Sequence, residues 1–365
     1  MAKFPDYVVP PGDFIKEWME EKGVSAAELA RRLGVSSKHV SELLRGRAPL
    51  SYAVALNLEN VTGVPARIWN LHEVGYREAI ARHRADEVLA DQYDQAKAFP
   101  LKYLRDHRYI TADAKDKVNT VRGLLDFFKV ASLEAFSSTW KQGAVAYRRS
   151  AVSRDNSPKL AVWLHAAELN LDEVETPPYD RSRLEDVLPT LRSLTVEEPT
   201  SAFLSAQRLL RECGVTLAIV PAVPGLGIHG ATRWFERRPL IQLSGLFKSD
   251  DQLWFTLFHE IGHVLLHDPQ GLYLTDAEDE MENEADEYAA RLLVPQEYLS
   301  RLPRGRDLGA VKKLATELSV APSIVLGQAQ RRTGDYAWGQ RLKRKVDPAA
   351  FTVEARTESN DGKNE

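Results

Sequence analysis

The stretch FTLFHEIGHVLLHD, Phe255–Asp268, constrains this chain most, because it sets His259, Glu260 and His263 in HExxH spacing. On an α-helix residues i and i+4 share a face one turn apart, so both imidazoles can aim a ring nitrogen at one ion. Zinc prefers such nitrogen donors. Glu260 stands beside them, placed to take a proton from water without being a ligand itself. When bound, zinc polarises a scissile carbonyl and makes water acidic near neutral pH. With 9 histidines in 365 residues, chance supplies roughly 0.02 such patterns per chain. The competing reading is an amphipathic helix with incidental histidines. Ser249 followed by Gln252 predicts a capping box that starts the helix.

A catalytic zinc takes three protein ligands and leaves one position open. His267, four residues beyond His263, is a conceivable third donor. HEIGHVLLHD lacks the glycine and longer spacing that return a metzincin chain with a third histidine, so His267 is expected to satisfy last-turn carbonyls instead. The next helical stretch, EDEMENEADEYAARLL, offers carboxylates. If Met281, Ala285, Tyr288, Ala289 and Leu292 form its core stripe, Glu282 and Glu284 lie on opposite borders, nearly equally far from the centre. Periodicity leaves both open. Most of the eight acids from Asp276 to Glu287 read as a solvated face.

A chain of 365 residues accommodates two or three domains. The net charge of −4 excludes global basicity, so any nucleic-acid face must be local. Cys213 is the single cysteine, which fits a reducing cytoplasm. No apolar run reaches membrane-spanning length, and TLAIVPAVPGLGI is broken by Pro221 and Pro224. The expectation is a soluble, cytoplasmic protein with no membrane partner. The fold class expected is α+β: helices to about residue 200, then a helix from Ala202 to Glu212, strands at VTLAIV, IHGATRWF and PLIQLS, helices at Ser249–His267 and Glu278–Leu293, and a last helical pair over Leu308–Arg332.

Near the N-terminus, SAAELARRLGVSSKHVSELLRGR places Leu29, Ala30, Leu33, Gly34, Val35, Val40 and Leu43 where a helix-turn-helix needs packing residues and a tight turn. Ala30 must be small at the crossing, and Gly34 permits a left-handed turn residue. The second helix then exposes Ser36, Ser37, Lys38, Ser41, Glu42 and Arg45, with Arg47 just beyond, side chains suited to base edges and phosphates. Residues 1–80 hold ten basic and ten acidic residues, whereas Arg31–Arg47 holds five basic and one acidic, a local net +4. A patch of that kind neutralises phosphate. The alternative is a helix-turn-helix used only for packing or dimerisation.

FHEIGHVLLH followed by ENEADEYAARLLVP resembles the ImmA/IrrE metallopeptidases, over about Ala202 to Pro295. The resemblance implies that His259 and His263 are metal ligands, that Glu260 is the general base, and that Glu284, directly before the alanine, is the third ligand of a gluzincin-like Zn2+ site. Zinc peptidases of this kind hold substrate as an added strand, and RPLIQLSG is the expected edge. His229 and Tyr273 are weak candidates for an oxyanion partner. Residues 10 to 76, including Trp69, Asn70 and Leu71, resemble HigA-type antitoxins of the Xre class, which implies a homodimer on a double-stranded DNA operator.

The domains expected are therefore 1–76 (DNA-binding), 77–200 (helical connection), 201–300 (metallopeptidase), 301–346 (a C-terminal helical pair packed on it) and 347–365 (a disordered tail). LATELSVAPSIVLGQAQRR echoes the helix-turn-helix, but Ile324, Val325 and Leu326 in succession argue for burial. In the middle region Arg148, Arg149 and Glu168 read as buried polar contacts or as part of a ligand-sensing surface. The function expected is a regulator whose zinc peptidase cuts a specific protein, such as a repressor or toxin encoded nearby. The alternative is an antitoxin-type repressor whose peptidase-like domain only senses a ligand or binds a partner.

Overall fold

The computed structural model describes residues 9–147, 157–169, 171, 176–235, 237–269, 272–274 and 280–351, with the backbone alone over 141–147. Its contacts form two compact units, Met1–Asp94 with Ala112–Arg122, and Gln95–Thr111 with Gly123–Glu365.

The first unit contains α1 (Pro11–Lys22), α2 (Ala26–Leu33), α3 (Ser37–Leu44), α4 (Tyr52–Thr62) and α5 (Ala66–Asp91). Ser25, Ser36 and Ser51 each cap a helix by accepting from a backbone N–H three residues on. Such caps contribute about 1 kcal/mol apiece. Gly34 ends α2 in the left-handed region, φ 67°, and Val35 N–H closes back on Ala30 O. That turn aims α3 across α2 and buries Leu29, Ala30, Leu33, Val40 and Leu43 around Ile15, Leu58 and Trp69. Helix α5 runs without a break through residue 76, the expected domain boundary.

Further along the chain are α6 (Tyr93–Ala96), α7 (Leu101–Asp106), α8 (Lys117–Phe127), α9 (Leu133–Tyr147), α10 (Ser157–Glu168), α11 (Arg181–Ser193) and α12 (Pro199–Glu212). The second unit is built on a sheet of β1 (Thr216–Ile219), β2 (Gly230–Phe235), β3 (Arg238–Leu243) and β4 (Leu272–Leu274), with α13 (Asp250–Leu266), α14 (Glu280–Leu293), α15 (Leu308–Leu318) and α16 (Pro322–Thr333). The strand order is β1-β3-β2-β4, with β1 parallel to β3 and the other pairs antiparallel. The fold is thus α+β. RPLIQLSG is not an edge: β3 is paired on both sides, and among the described residues the edges are β1 and β4. β4 pairs Tyr273 with Thr232; its three residues carry too little alternation to announce a strand.

Alternation along β2 sends neighbouring side chains to opposite faces. Thr232 meets α13, where its hydroxyl donates to Glu260. Arg233 points the other way, to Glu168 (2.5 Å) and the Leu164 carbonyl of α10, and Gln242 of β3 donates to Trp163 O. Glu168 is accordingly a half-buried polar contact to the buried Arg233; Arg148 and Arg149 lie outside the described residues. On the α13 face Leu217, Ile219, Ile241 and Leu243 join Phe203, Trp254, Leu257, Phe258 and Ile261 in one core.

Ser249 precedes α13 but makes no side-chain capping bond, so the expected capping box is absent. Asp250, fully buried in the first turn, instead ties the helix start to other segments: it accepts from Ser323 Oγ (2.7 Å), Arg344 N (2.9 Å) and Arg344 Nε (2.7 Å). The helix N-terminus favours that negative charge. Ile324, Val325 and Leu326 are buried, which gives α16 its packing role. Pro348–Phe351 form a 3-10 turn with Phe351 in the core, so structure continues past residue 347, the expected start of the tail; 352–365 lie outside the described residues.

Burial pushes the Glu168 carboxyl up, but the hydrogen bond from His165 and the charge of Arg233 outweigh it and hold the pKa below the usual range. A depressed folded pKa gives stability that is present above the unfolded value and lost as pH falls through the folded one. Glu168→Gln should therefore cost about 2 kcal/mol at pH 7, and the deficit should shrink in acid. Urea unfolding of both proteins across that range is the measurement.

Candidate metal centre

The centre is assembled by two helices that cross closely. A methyl group at Gly262 of α13 would stand 3.2 Å from the Ala285 Cα of α14, so glycine and alanine set the approach. That approach brings Glu282 to the histidines. His259 and His263 face each other through their Nε2 atoms at 3.0 Å; Glu282 Oε2 lies 3.0 Å from His259 Nε2, and Oε1 lies 3.2 Å from His263 Nε2. All three residues are buried, with donor atoms within 4.8 Å of one another. A tetrahedral zinc with bonds of about 2.0–2.2 Å spaces its donors roughly 3.3 Å apart. Two inward nitrogens and one carboxylate at these separations fit zinc with a small outward adjustment.

The expectation that Glu284 completes the set is corrected. Glu284 is exposed, its side chain 57% accessible, and its Oε2 lies 3.1 Å from His267 Nε2. His267 Nδ1 in turn lies 2.8 Å from His263 Nδ1. His267 thus stays outside the three donors, and its backbone N–H satisfies the His263 carbonyl in the last turn of α13, as expected, while its ring engages the outer nitrogen of His263. On the other side His259 Nδ1 is 2.8 Å from Asp286 Oδ1, and Asp286 is paired with Arg331 of α16. Both rings therefore have their outer nitrogen engaged, which fixes ring orientation and turns both Nε2 atoms inward, where they could hold an ion.

The stripe inferred for α14 was rotated. The buried positions are Glu282, Ala285, Ala289 and Leu293, while Met281, Tyr288 and Leu292 are half-buried. A stripe drawn through the small residues Ala285 and Ala289 alone, the side that a close helix crossing requires, reaches Glu282 one turn earlier and excludes Glu284.

The charges respond to this packing. Burial lowers the His259 pKa, yet its bonds to Asp286 and Glu282 outweigh that and raise it to about 10. Burial pushes Glu282 and Asp286 up, but their histidine bonds, and Arg331 for Asp286, hold both below the carboxylate range. Glu260 is fully buried beside the ligand group. The Thr232 hydroxyl donates to its Oε2 at 2.6 Å, and a methyl group at Gly230 would meet its Oε1 at 2.3 Å. Thr232 and Gly230 shape the seat of that carboxylate, and neither was visible in the helix sequence. Tyr273 stacks on His263 at 4.7 Å, and its hydroxyl donates to Asp268 O; His229 stacks on Phe247.

In the first unit α3 carries Ser37, Lys38, Ser41 and Glu42, with Ser36 as its N-cap and Arg45 as its C-cap. Lys38 is 84% accessible and only 4.0 Å from Glu42, while Ser37, Arg45 and Arg47 are exposed. Ser36 spends its hydroxyl oxygen on His39 N–H.

Residues 224–327 match the IrrE N-terminal-like peptidase domain, and residues 15–69 match the helix-turn-helix family. The chain carries an Xre-type helix-turn-helix domain and an ImmA/IrrE-like peptidase-family domain. The uncharacterized HTH-type transcriptional regulator YddM of Escherichia coli is 37% identical over 59 residues. That stretch spans 16% of this chain and 63% of the relative. No described helix is long and apolar enough to cross a membrane. The ImmA/IrrE-like match encloses β2, β3, α13 and α14, the elements that supply every residue of the His–His–Glu group.

If Glu282 is the third ligand, Glu282→Gln should weaken zinc binding by more than about 100-fold, whereas Glu284→Gln, acting through His267, should stay near 10-fold. Competition against a chromophoric chelator measures both. Equal losses, or the reverse order, would return Glu284 to the ligand position.

Proposed function

We propose that this protein is a cytoplasmic DNA-binding transcription regulator whose zinc-dependent peptidase domain cuts a specific protein target, such as a partner repressor. The observation that carries the reading is the pairing of the His259–His263–Glu282 group with a separately seated carboxylate, Glu260. A purely structural metal has no use for a fourth, non-ligating acid. His259, His263 and Glu282 would hold the ion, which supplies Lewis acidity when bound. Glu260, held by Thr232, accepts the proton of the attacking water and delivers it to the leaving nitrogen. β4 is the edge strand nearest these residues, because Tyr273 pairs with Thr232, and an extended substrate would add to it through main-chain bonds.

The DNA reading rests on α3. Ser37, Lys38, Ser41, Glu42 and Arg45, with Ser36 at its start and Arg47 beyond, face a double-stranded operator; Glu42 would accept from a cytosine amino group. Tyr52, Leu56, Leu71 and Val74 are exposed apolar residues on α4 and α5 that a second copy would cover, as a homodimer on a palindrome requires. One observation favours the antitoxin-type alternative: the ligand group and Glu260 are all buried, as suits a domain that only senses a ligand or binds a partner.

Co-expression with neighbouring gene products separates the two readings. Wild type should yield a zinc-dependent cleavage product that Glu260→Gln abolishes while zinc stays bound, and Gly230→Ala should mimic that loss. A fully active Glu260→Gln would sink the peptidase reading. For the operator, Lys38→Ala with Arg45→Ala should weaken binding to the protein's own promoter and flatten the log–log salt slope by about two. Binding that stays as tight and as salt-sensitive as wild type removes α3 from the interface.

A further inference from the structure

Helices α13 and α16 lie side by side, and their turns match one to one. At the first turn Ser323 Oγ donates to the buried Asp250 at 2.7 Å. One turn on, at Gly327, a methyl group would stand 3.1 Å from Asp251 Oδ2, so the helices are close at that level. A further turn on, Arg331 lies over the Phe255 ring, 4.9 Å from its centroid. Ser323, Gly327 and Arg331 share one face of α16, and Asp251, Phe255 and His259 share one face of α13. Each four-residue step advances roughly 6 Å along a helix. The register set at Asp250 therefore carries Arg331 to the level of Phe255, one turn short of His259.

Asp286 of α14 closes the remaining gap. Its Oδ1 lies 2.8 Å from His259 Nδ1, and its Oδ2 accepts from Arg331 Nη2. The Asp286 side chain is 31% accessible, so packing alone leaves it room to turn. A carboxylate held at one oxygen can swivel about that bond; held at both oxygens, from two different helices, it keeps its plane. Arginine suits this place. A planar guanidinium lies on an aromatic face while it donates in its own plane, which an ammonium does not. The ion pair itself is half-exposed and adds little to global stability, so its consequence is local.

From this ladder we infer that Arg331 is a positioning residue of the metal centre: acting through Asp286, it sets the plane of the His259 ring and with it the aim of Nε2 toward His263 and Glu282. Helix α16 thus takes part in the centre although it supplies none of the three donor atoms. A carboxylate that orients the outer nitrogen of a ligating histidine governs how well the inner nitrogen meets its ion. Arg331 governs that carboxylate in turn. The effect on zinc rests on the zinc reading proposed above; the orientation of the ring does not.

Two measurements on the full chain test this. In the metal-free protein, NMR reads the ring nitrogen signals of His259. Arg331→Gln should shift them while those of His165 stay in place; Asp286→Asn should shift them too, and the double variant should match Asp286→Asn alone. In the chelator competition for zinc, Arg331→Gln and Asp286→Asn should each lose about tenfold, and the double variant should lose no more than Asp286→Asn does. Losses that multiply to about 100-fold would make Arg331 a packing residue of α16 and overturn the proposal. So would His259 signals that Arg331→Gln leaves unmoved. Should Arg331→Gln not fold, Arg331→Lys, which keeps the charge and loses the planar fork, should shift the same signals and weaken zinc several-fold; wild-type behaviour of that variant overturns the proposal equally. A chain that shows the His259 shift but binds no zinc would remove the peptidase reading and keep Arg331 as the residue that orients the ring.

Discussion

The second unit depends on the contact of Gly262 with Ala285. Two helices that carry histidines and acids can meet at a range of angles and rotations. Only an approach this close selects which acid reaches the rings. A methyl group at Gly262 would already force the two helices to give by a few tenths of an ångström at Ala285, so the spacing that brings Glu282 to the rings tolerates little added bulk there. The same crossing presents Asp286 to the far nitrogen of His259, because residues four apart share a helix face. One backbone approach thus brings Glu282 and Asp286 to the two nitrogens of the same ring. The Thr232–Glu260 bond is independent of it and depends on β2, so Glu260 and the His–His–Glu group are positioned by different parts of the framework.

The sequence carried much of this and missed some of it for definable reasons. HExxH fixes its own geometry, since the helix converts spacing directly into a shared face; His259, Glu260 and His263 were therefore legible. The helix-turn-helix was legible for a similar reason: Ala30 and Gly34 are demanded by local contacts and a local backbone conformation. Glu282 was harder, because its role depends on which face of α14 meets another helix. Met281 and Tyr288 drew the apolar stripe away from Ala285 and Ala289, and the resemblance then favoured the acid beside the alanine. β3 was mistaken for an edge because nothing within a strand reports its neighbours. β4 supplies the true edge with three residues, and Gly230, Thr232 and Arg331 act across distances in sequence that no local pattern spans.

The polar groups around the centre show how burial sorts charge. Asp250 is buried and receives three donors, so it serves as a structural pin between α13, α16 and the segment around Arg344. Glu168 and Arg233 are paired across the opposite face of the sheet. His259, His263 and Glu282 lie within bonding distance of one another, and the bonds from Asp286 and Glu282 raise the His259 pKa against the effect of burial. A metal ion at these atoms would compete with the proton that the raised pKa favours on His259.

Charge in the first unit is arranged differently. Residues 1–80 are neutral overall, and Arg31 and Arg32 both lean on Glu28, so those cations are partly neutralised within α2. Lys38, Arg45 and Arg47 are exposed, and among the described residues their one close acidic partner is Glu42, 4.0 Å from Lys38. A DNA backbone senses charge within about one Debye length, roughly 8 Å at physiological salt. The field that matters is therefore that of α3 and its ends, not the sum over the chain. On the operator reading proposed above, an overall negative protein can then bind DNA through one short helix while its acids elsewhere oppose indiscriminate binding, and Glu42 would place part of that opposition inside the proposed reading face.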